Sequence, residues 1–164
     1  MKAIIVYYSG NNQTKDVAKL IGGLMLKNRN RAQVKYETIQ PLKEEGTIKK
    51  IIMATFKREV PILNADLDVS GYDIIIIVSP VFGVQAPPAV NSYLVDINGV
   101  KGKKTAAFVI TSFGSGNAAL KSISSVLTKR GGKFVSGTGM LSKDISEGLG
   151  LKNKVRDFVK KILK

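Results

Sequence analysis

Six small or amide-bearing residues, Ser9-Gly10-Asn11-Asn12-Gln13-Thr14, are the first place in this chain where residue type and position suggest chemistry. They follow an apolar run, Ala3-Ile4-Ile5-Val6. They precede Val17, Leu20, Ile21 and Leu24, which are spaced as on one face of a helix. The N–H groups of a first helical turn have no partners within the helix and lie at the positive end of its dipole. A strand, a polar turn and a helix start in this order therefore predict a phosphate cradle. Ser9 and Thr14 add hydroxyls, while Asn11 and Asn12 tolerate the left-handed backbone angles of a tight turn. Lys15 either adds charge to that cradle or faces solvent.

Two more stretches share this character. Ser79-Pro80-Val81-Phe82-Gly83-Val84-Gln85-Ala86-Pro87-Pro88 follows the five β-branched residues Ile74 to Val78, and Ser112-Phe113-Gly114-Ser115-Gly116-Asn117 follows Lys104 to Thr111. Both are too rich in Gly, Pro and Ser to be regular structure. Three such loops, each behind a strong strand, are the main sign of a site.

Absent residues narrow the chemistry. The chain contains no His and no Cys, so it supplies no Ser-His-Asp triad, thiolate nucleophile, zinc-finger site or imidazole acid–base. Difficult chemistry then falls to a bound cofactor. The P-loop spacing is missing, since Gly99 to Thr105 (GVKGKKT) matches it only in composition, and the dinucleotide fingerprint is missing after the first strand. Tyr8-Ser9 and Ser79-Pro80 stand where a response-regulator receiver needs carboxylates.

The elements that must position these loops alternate. Gln33 to Ile39 reads as a strand near a sheet edge, closed by Pro41. Gly46 to Phe56 has helical spacing, and Arg58 to Val69 reads as a surface connection broken by Pro61 and Asn64. Tyr72 to Ser79 is a central strand. A third helix runs from Ala89 to Val95 with Pro88 at its start, and Lys104 to Thr111 is a buried strand. A fourth helix spans about Ala118 to Lys129, stopped by Gly131-Gly132. Lys133 to Leu141 is a fifth strand whose glycines predict a bend or close contact, and a last helix runs from Leu151 to Leu163. Alternation of this kind predicts an α/β protein with a parallel sheet and helices on both faces, its ligand at the carboxyl ends of the strands. The length of 164 residues suits a single domain spanning residues 1–164. No apolar run approaches a membrane span, and no signal-peptide layout or disulfide framework is visible, so a cytoplasmic protein is expected.

The chain carries a net charge of +14. No acidic residue occurs from Ile97 to Lys143, where Lys101, Lys103, Lys104, Lys121, Lys129, Arg130, Lys133 and Lys143 all stand. The six bases between Lys152 and Lys164 face one acid, Asp157. Such a field attracts anions, whether a phosphorylated cofactor, an acidic redox partner or nucleic acid. A solvated lysine-rich surface explains the same residues.

In order and position, the three loops resemble those of flavodoxins. Ser9 to Thr14 is similar to the [ST]-x-T-G-x-T phosphate loop for flavin mononucleotide (FMN), with Asn11 and Asn12 where Thr and Gly are usual. Ser79-Pro80-Val81-Phe82-Gly83, followed by Pro87-Pro88-Ala89-Val90 and Tyr93-Leu94, resembles the second flavin loop, with Phe82 where relatives often have Trp or Tyr. Thr111-Ser112-Phe113-Gly114-Ser115-Gly116 resembles the third. The resemblance implies a three-layer flavodoxin-like fold with a five-stranded parallel sheet in the order 2-1-3-4-5. It also implies FMN as cofactor. The phosphate would rest on Gly10 to Thr14, with Ser9 and Thr14 donating hydroxyls. Phe82 and Phe113 would cover the ring, and Gly83, Gly114 and Gly116 would bring the backbone close.

Two function classes follow from the resemblance. One is an electron carrier passing one or two electrons between redox partners; flavodoxins of that kind are usually acidic, so the partner of this basic chain would be acidic. The other is an FMN-dependent NAD(P)H:quinone-type oxidoreductase. A third reading, a flavin-free module for anions or nucleic acid, is weaker. The aromatic content is only 7% and its Phe and Tyr are not interleaved with the basic runs, which argues against nucleic acid.

Overall fold

The computed structural model describes residues 1–164 except 9, 11, 44–45, 47–52, 54–58 and 64. Five strands form one parallel sheet: β1 (Lys2–Tyr8), β2 (Gln33–Ile39), β3 (Ile74–Pro80), β4 (Lys104–Thr111) and β5 (Lys133–Leu141). Their order is β2-β1-β3-β4-β5, as the sequence resemblance implied. The described helices are α1 (Asn12–Asn28), α2 (Pro88–Asp96), α3 (Asn117–Lys129), the short α4 (Ser142–Ser146) and α5 (Leu151–Leu163).

The alternation of side chains along each strand divides the core into two layers. Ala3 and Ile5 of β1, Ile74, Ile76 and Val78 of β3, and Ala106, Phe108 and Ile110 of β4 pack against Val17, Ile21 and Met25 of α1 and Val155, Phe158 and Ile162 of α5. The intervening residues Ile4, Val6, Ile75, Ile77, Ala107 and Val109 face α2 and α3, where Val90, Tyr93, Ile123 and Leu127 are buried. Because β3 is covered on both faces, every residue from Ile74 to Pro80 is buried. β2, at the edge, alternates only partly, and only Ile39 in it is fully buried.

Several expectations shift. β3 starts at Ile74, since the Tyr72 amide turns back to the Val69 carbonyl at 3.1 Å. The connection from Glu59 to Val69 is less superficial than its sequence suggests. Val69 is buried, and Val60, Ile62, Ala65 and Leu67 pack on the α2–α3 side of the core. Short bridges pair Pro41 with Ile62 and Asp68 with Asn98. The helix expected from Gly46 to Phe56 lies outside the described residues. In β5 the register passes from Phe134 to Ser136 opposite Thr105 and Ala106, leaving Val135 as a bulge. The close contact expected of its glycines is found at Gly139, where an added Cβ would lie 2.0 Å from the Ser115 carbonyl oxygen. No helix among the described residues is long and apolar enough to cross a membrane.

Candidate functional site

Strand order reverses between β1 and β3, because β2 lies to one side of β1 and β3 to the other. In a parallel sheet this reversal opens a crevice outside the carboxyl ends of those strands. The loops after β1, β3 and β4 all emerge at that end from three neighbouring strands.

The first loop leaves β1 at Tyr8, which is buried. The backbone at Gly10 lies so close to the Tyr8 ring that a Cβ would stand 2.5 Å from Cε1, which explains a glycine at that point. Thr14 is fully buried, and its hydroxyl donates to the Tyr8 carbonyl at 2.6 Å, closing the turn. One hydroxyl has one proton, so this bond leaves Thr14 only acceptor capacity toward any ligand. Asn12 opens α1 and is exposed. Ser9 and Asn11, expected in the cradle, lie outside the described residues.

Gln13 turns away from the crevice toward the end of β5. Its Nε2 donates to the Ser142 carbonyl at 3.0 Å and to Ser146 Oγ at 2.8 Å, and Ser142 Oγ donates to its Oε1 at 2.6 Å. Both ends of the amide are thus tied to α4. Sequence reading missed Ser142 and Ser146; the available signal was that β5 also ends at this pole.

The second loop turns on backbone bonds. The Val81 amide donates to the Ile110 carbonyl at 2.7 Å, and Phe82 and Gln85 exchange N–H···O bonds of 2.8 and 3.2 Å. Gly83, first of the two residues between them, has φ of 63°, as a type II′ turn requires. Phe82 meets Tyr8 edge to face, with centroids 5.9 Å apart, and packs against the core. Its ring anchors the loop and is partly accessible. Ser79 and Pro80 are buried at the end of β3, and the Ser79 hydroxyl donates to the Pro80 carbonyl at 2.8 Å.

The third loop is closed by Thr111, whose hydroxyl donates to the Phe113 carbonyl and accepts the Phe113 amide. Ser112 and Gly114 are exposed, and Gly116 caps α3. Phe113 is 63% exposed and Val84 is 50% exposed, and the two stand on facing loops. Between the second and third loops lies a cleft of about 200 Å3, walled by Val81, Gly83, Val84, Thr111, Phe113 and Gly114 among others. The structure therefore joins Val81, Gly83, Phe113, Gly114 and Gly116 in one cleft and links Phe82 to β1. It turns Gln13 outward and occupies the hydroxyl protons of Thr14 and Ser79 within the protein. Among the described residues no charged side chain lines this cleft. Such a surface, apolar with backbone donors, suits a flat, weakly polar ring.

Shifted carboxyl, ammonium and phenol groups are found at and around β2. The Lys35 ammonium, 2.7 Å from Asp66, is held above its ordinary range and Asp66 below its own, chiefly by their mutual hydrogen bond. Burial pushes the Tyr93 and Tyr36 phenols up.

No protein-family model matches this sequence. No curated protein matches it either. Solved structures do match the fold. A presumptive flavoprotein from Bacteroides uniformis superposes with a TM-score of 0.71 at 18% identity, covering 98% of each chain. Oxidised flavodoxin 2 from Bacillus cereus gives 0.67 at 18% identity, over 99% of this chain and 98% of its own. A flavoprotein from Lactobacillus acidophilus in complex with FMN gives 0.61 at 18% identity, over 89% and 97%. The chain has the flavodoxin-like fold.

Proposed function

We propose that this chain binds FMN in the crevice beyond β1, β3 and β4 and acts in electron transfer between redox partners. The observation that carries the reading is the cleft of about 200 Å3 between the Gly83–Val84 turn and the Phe113–Gly116 loop, at the carboxyl ends of β3 and β4. The similar structures include flavodoxins and one FMN complex, which supports the same ligand class.

The residues fit the group. Amides of Gly10, Asn12, Gln13 and Thr14 at the start of α1 would hold the phosphate, with the helix dipole behind them. With the Thr14 proton directed to Tyr8, this hold falls to backbone N–H groups rather than to that hydroxyl. Val84 and Phe113 would flank the ring, while Gly83 and Gly114 leave its edge open to backbone contact. FMN supplies one- and two-electron redox chemistry; the chain supplies position, exclusion of water and charge. The net charge of +14 favours an anionic reduced cofactor, so a second reduction potential less negative than in acidic flavodoxins is expected.

The test is an absorbance spectrum of the purified protein with FMN, followed by anaerobic NADH and NADPH. A shifted, saturable flavin spectrum reduced only by dithionite or an acidic protein partner is the expected result. Rapid bleaching by either nucleotide would instead support the NAD(P)H:quinone-type oxidoreductase. Absence of binding would overturn both readings, and a very negative second potential would overturn the electrostatic expectation.

A further inference from the structure

Among the described residues, a concentration of cations outside any ion pair lies at the other end of the sheet. Arg29, Lys103, Lys104 and Lys133 line a cleft of about 570 Å3 closed on one side by Ile162 and Leu163. A second cleft of about 390 Å3 shares Arg29 and Leu163 with it and adds Lys160 and Lys164. Together they form one groove around the carboxyl end of α5.

Three of these cations are anchored rather than free to swing. Arg29 Nη2 donates to the Leu163 carbonyl at 2.7 Å, Lys104 Nζ to the Ile162 carbonyl at 3.3 Å, and Lys103 Nζ to the Ser70 carbonyl at 2.8 Å. Carbonyl partners hold the heads in place without neutralising them, which lowers the entropy lost when an anion arrives. The ion pairs found among the described residues are those of Lys35 with Glu37 and Asp66, and of Lys143 with Glu147. None involves the groove. Opposing groups are Asp73, whose carboxylate accepts the Lys2 amide at 2.8 Å, and the negative dipole end of α5.

We propose that this groove binds a compact oligophosphate, a run of about three linked phosphoryl groups. Arg29 retains guanidinium N–H groups beyond the one bonded to Leu163, able to meet two phosphate oxygens, while the lysines act as point charges along the chain. Two contiguous clefts suit an extended anion better than a single phosphate. Their concave form sets the cations back from a flat bilayer. Among the described residues no aromatic side chain lines either cleft, so bases of a single-stranded nucleic acid find no stacking platform there. The site is separate from the crevice and does not depend on flavin binding.

The experiment is calorimetric titration of the full chain with sodium tripolyphosphate at low salt, with amide NMR shifts read in parallel. Saturable binding with shifts at Gly102, Lys103 and Gly131, and none at Gly10 or Gln13, is expected. The triple variant K103Q/K104Q/K133Q weakens it by about tenfold, a few-fold for each exposed charge lost. The equally charged control K121Q/K152Q/K154Q changes it less than about twofold. Lys133→Gln alone, at an ammonium with no recorded bond among the described residues, reads the effect without disturbing a contact. Equal losses in both triple variants, amide shifts reproduced by sodium chloride of the same ionic strength, or shifts confined to the first loop would each overturn the proposal. Tighter binding of oligothymidylate than of tripolyphosphate would also overturn it, in favour of nucleic acid.

Discussion

At the carboxyl end of the sheet, the first and third turns are closed by side-chain hydroxyls and an amide (Thr14 on Tyr8, Thr111 on Phe113, Gln13 on Ser142), and only the second by the paired backbone bonds of Phe82 and Gln85. At the amino end they are closed by backbone bonds between loops. Gly102 donates to Gly131, Lys133 to Lys103, and Val69 to Asn98. The first end presents exposed apolar side chains such as Val84 and Phe113, the second a crowd of lysines. The comparison teaches that the same task, ending strands in tight turns, leaves different surfaces free. Where side-chain hydroxyls close the turn, their protons are used within the protein and a ligand must rely on other groups. Where the backbone closes it, long side chains remain for solvent or anions.

The strongest way to break this contrast is to add one carbon at each end. A Cβ on Gly139 would strike the Ser115 carbonyl, and one on Gly99, at φ of 79°, would approach the Ser70 amide at 2.5 Å. Each Ala variant should lose about 3 kcal/mol of stability, because the obstacle is backbone and moves only with its loop. Only Gly139→Ala should also weaken FMN binding, since it displaces the third loop. Urea denaturation and flavin titration of both variants decide it. Equal effects on flavin affinity would mean the two ends are not functionally distinct.

A smaller effect is expected at Gln13. Removing its amide leaves Ser142 and Ser146 without their partner on α1. Gln13→Ala should cost about 1 kcal/mol in stability. It should also raise the FMN dissociation constant a few-fold by loosening the start of α1. Unchanged FMN affinity with the same stability loss would make the network purely structural.

How much of this was legible in the sequence follows from the same physics. Ile74 to Val78 announced β3 because a strand covered on both faces needs no polar alternation. The 3.6-residue spacing of Val155, Phe158, Val159 and Ile162 announced α5 because only one face of it is buried. That three loops rich in Gly, Pro and Ser leave one end of the sheet was legible from their composition. Less legible was the fate of each loop hydroxyl. Thr14 read as a ligand donor and Ser79 as part of the second loop, yet their protons go to the Tyr8 and Pro80 carbonyls, partners set by the backbone path rather than by residue type. The five-residue α4 is too short to show a period. Val60, Ile62 and Leu67 pack on the core at no regular spacing, so Pro61 and Asn64 dominated the reading. The basic run from Lys101 to Lys133 was visible, but its convergence with Arg29 and Lys160 on one groove required the fold.

Lys35 and Asp66 test the contrast most gently, because Lys35 on β2 is one of the cations that is neutralised, unlike those of the groove. Its ammonium reaches Asp66 at 2.7 Å and Glu37 at 3.4 Å. Asp66 is held below its ordinary range, so its contribution is present above the unfolded carboxylate value and is lost as pH falls through the lower folded value. Lys35 is held above its ordinary range, so its contribution is full below the unfolded ammonium value and is lost as pH rises through the higher folded one. The pair therefore acts across the interval between those limits, from mildly acidic to strongly alkaline solution. Both side chains are 41% exposed, so solvent screening holds the gain to under about 1 kcal/mol. Asp66→Asn should lower the urea midpoint slightly at neutral pH and not at all in acid below the folded carboxyl value. It should also leave Lys35 with only the longer Glu37 contact, so added salt should affect the variant less than the parent. A midpoint difference that persists unchanged into strong acid would trace the loss to the Asp68 amide, which Asp66 also accepts at 3.1 Å, rather than to the charge pair.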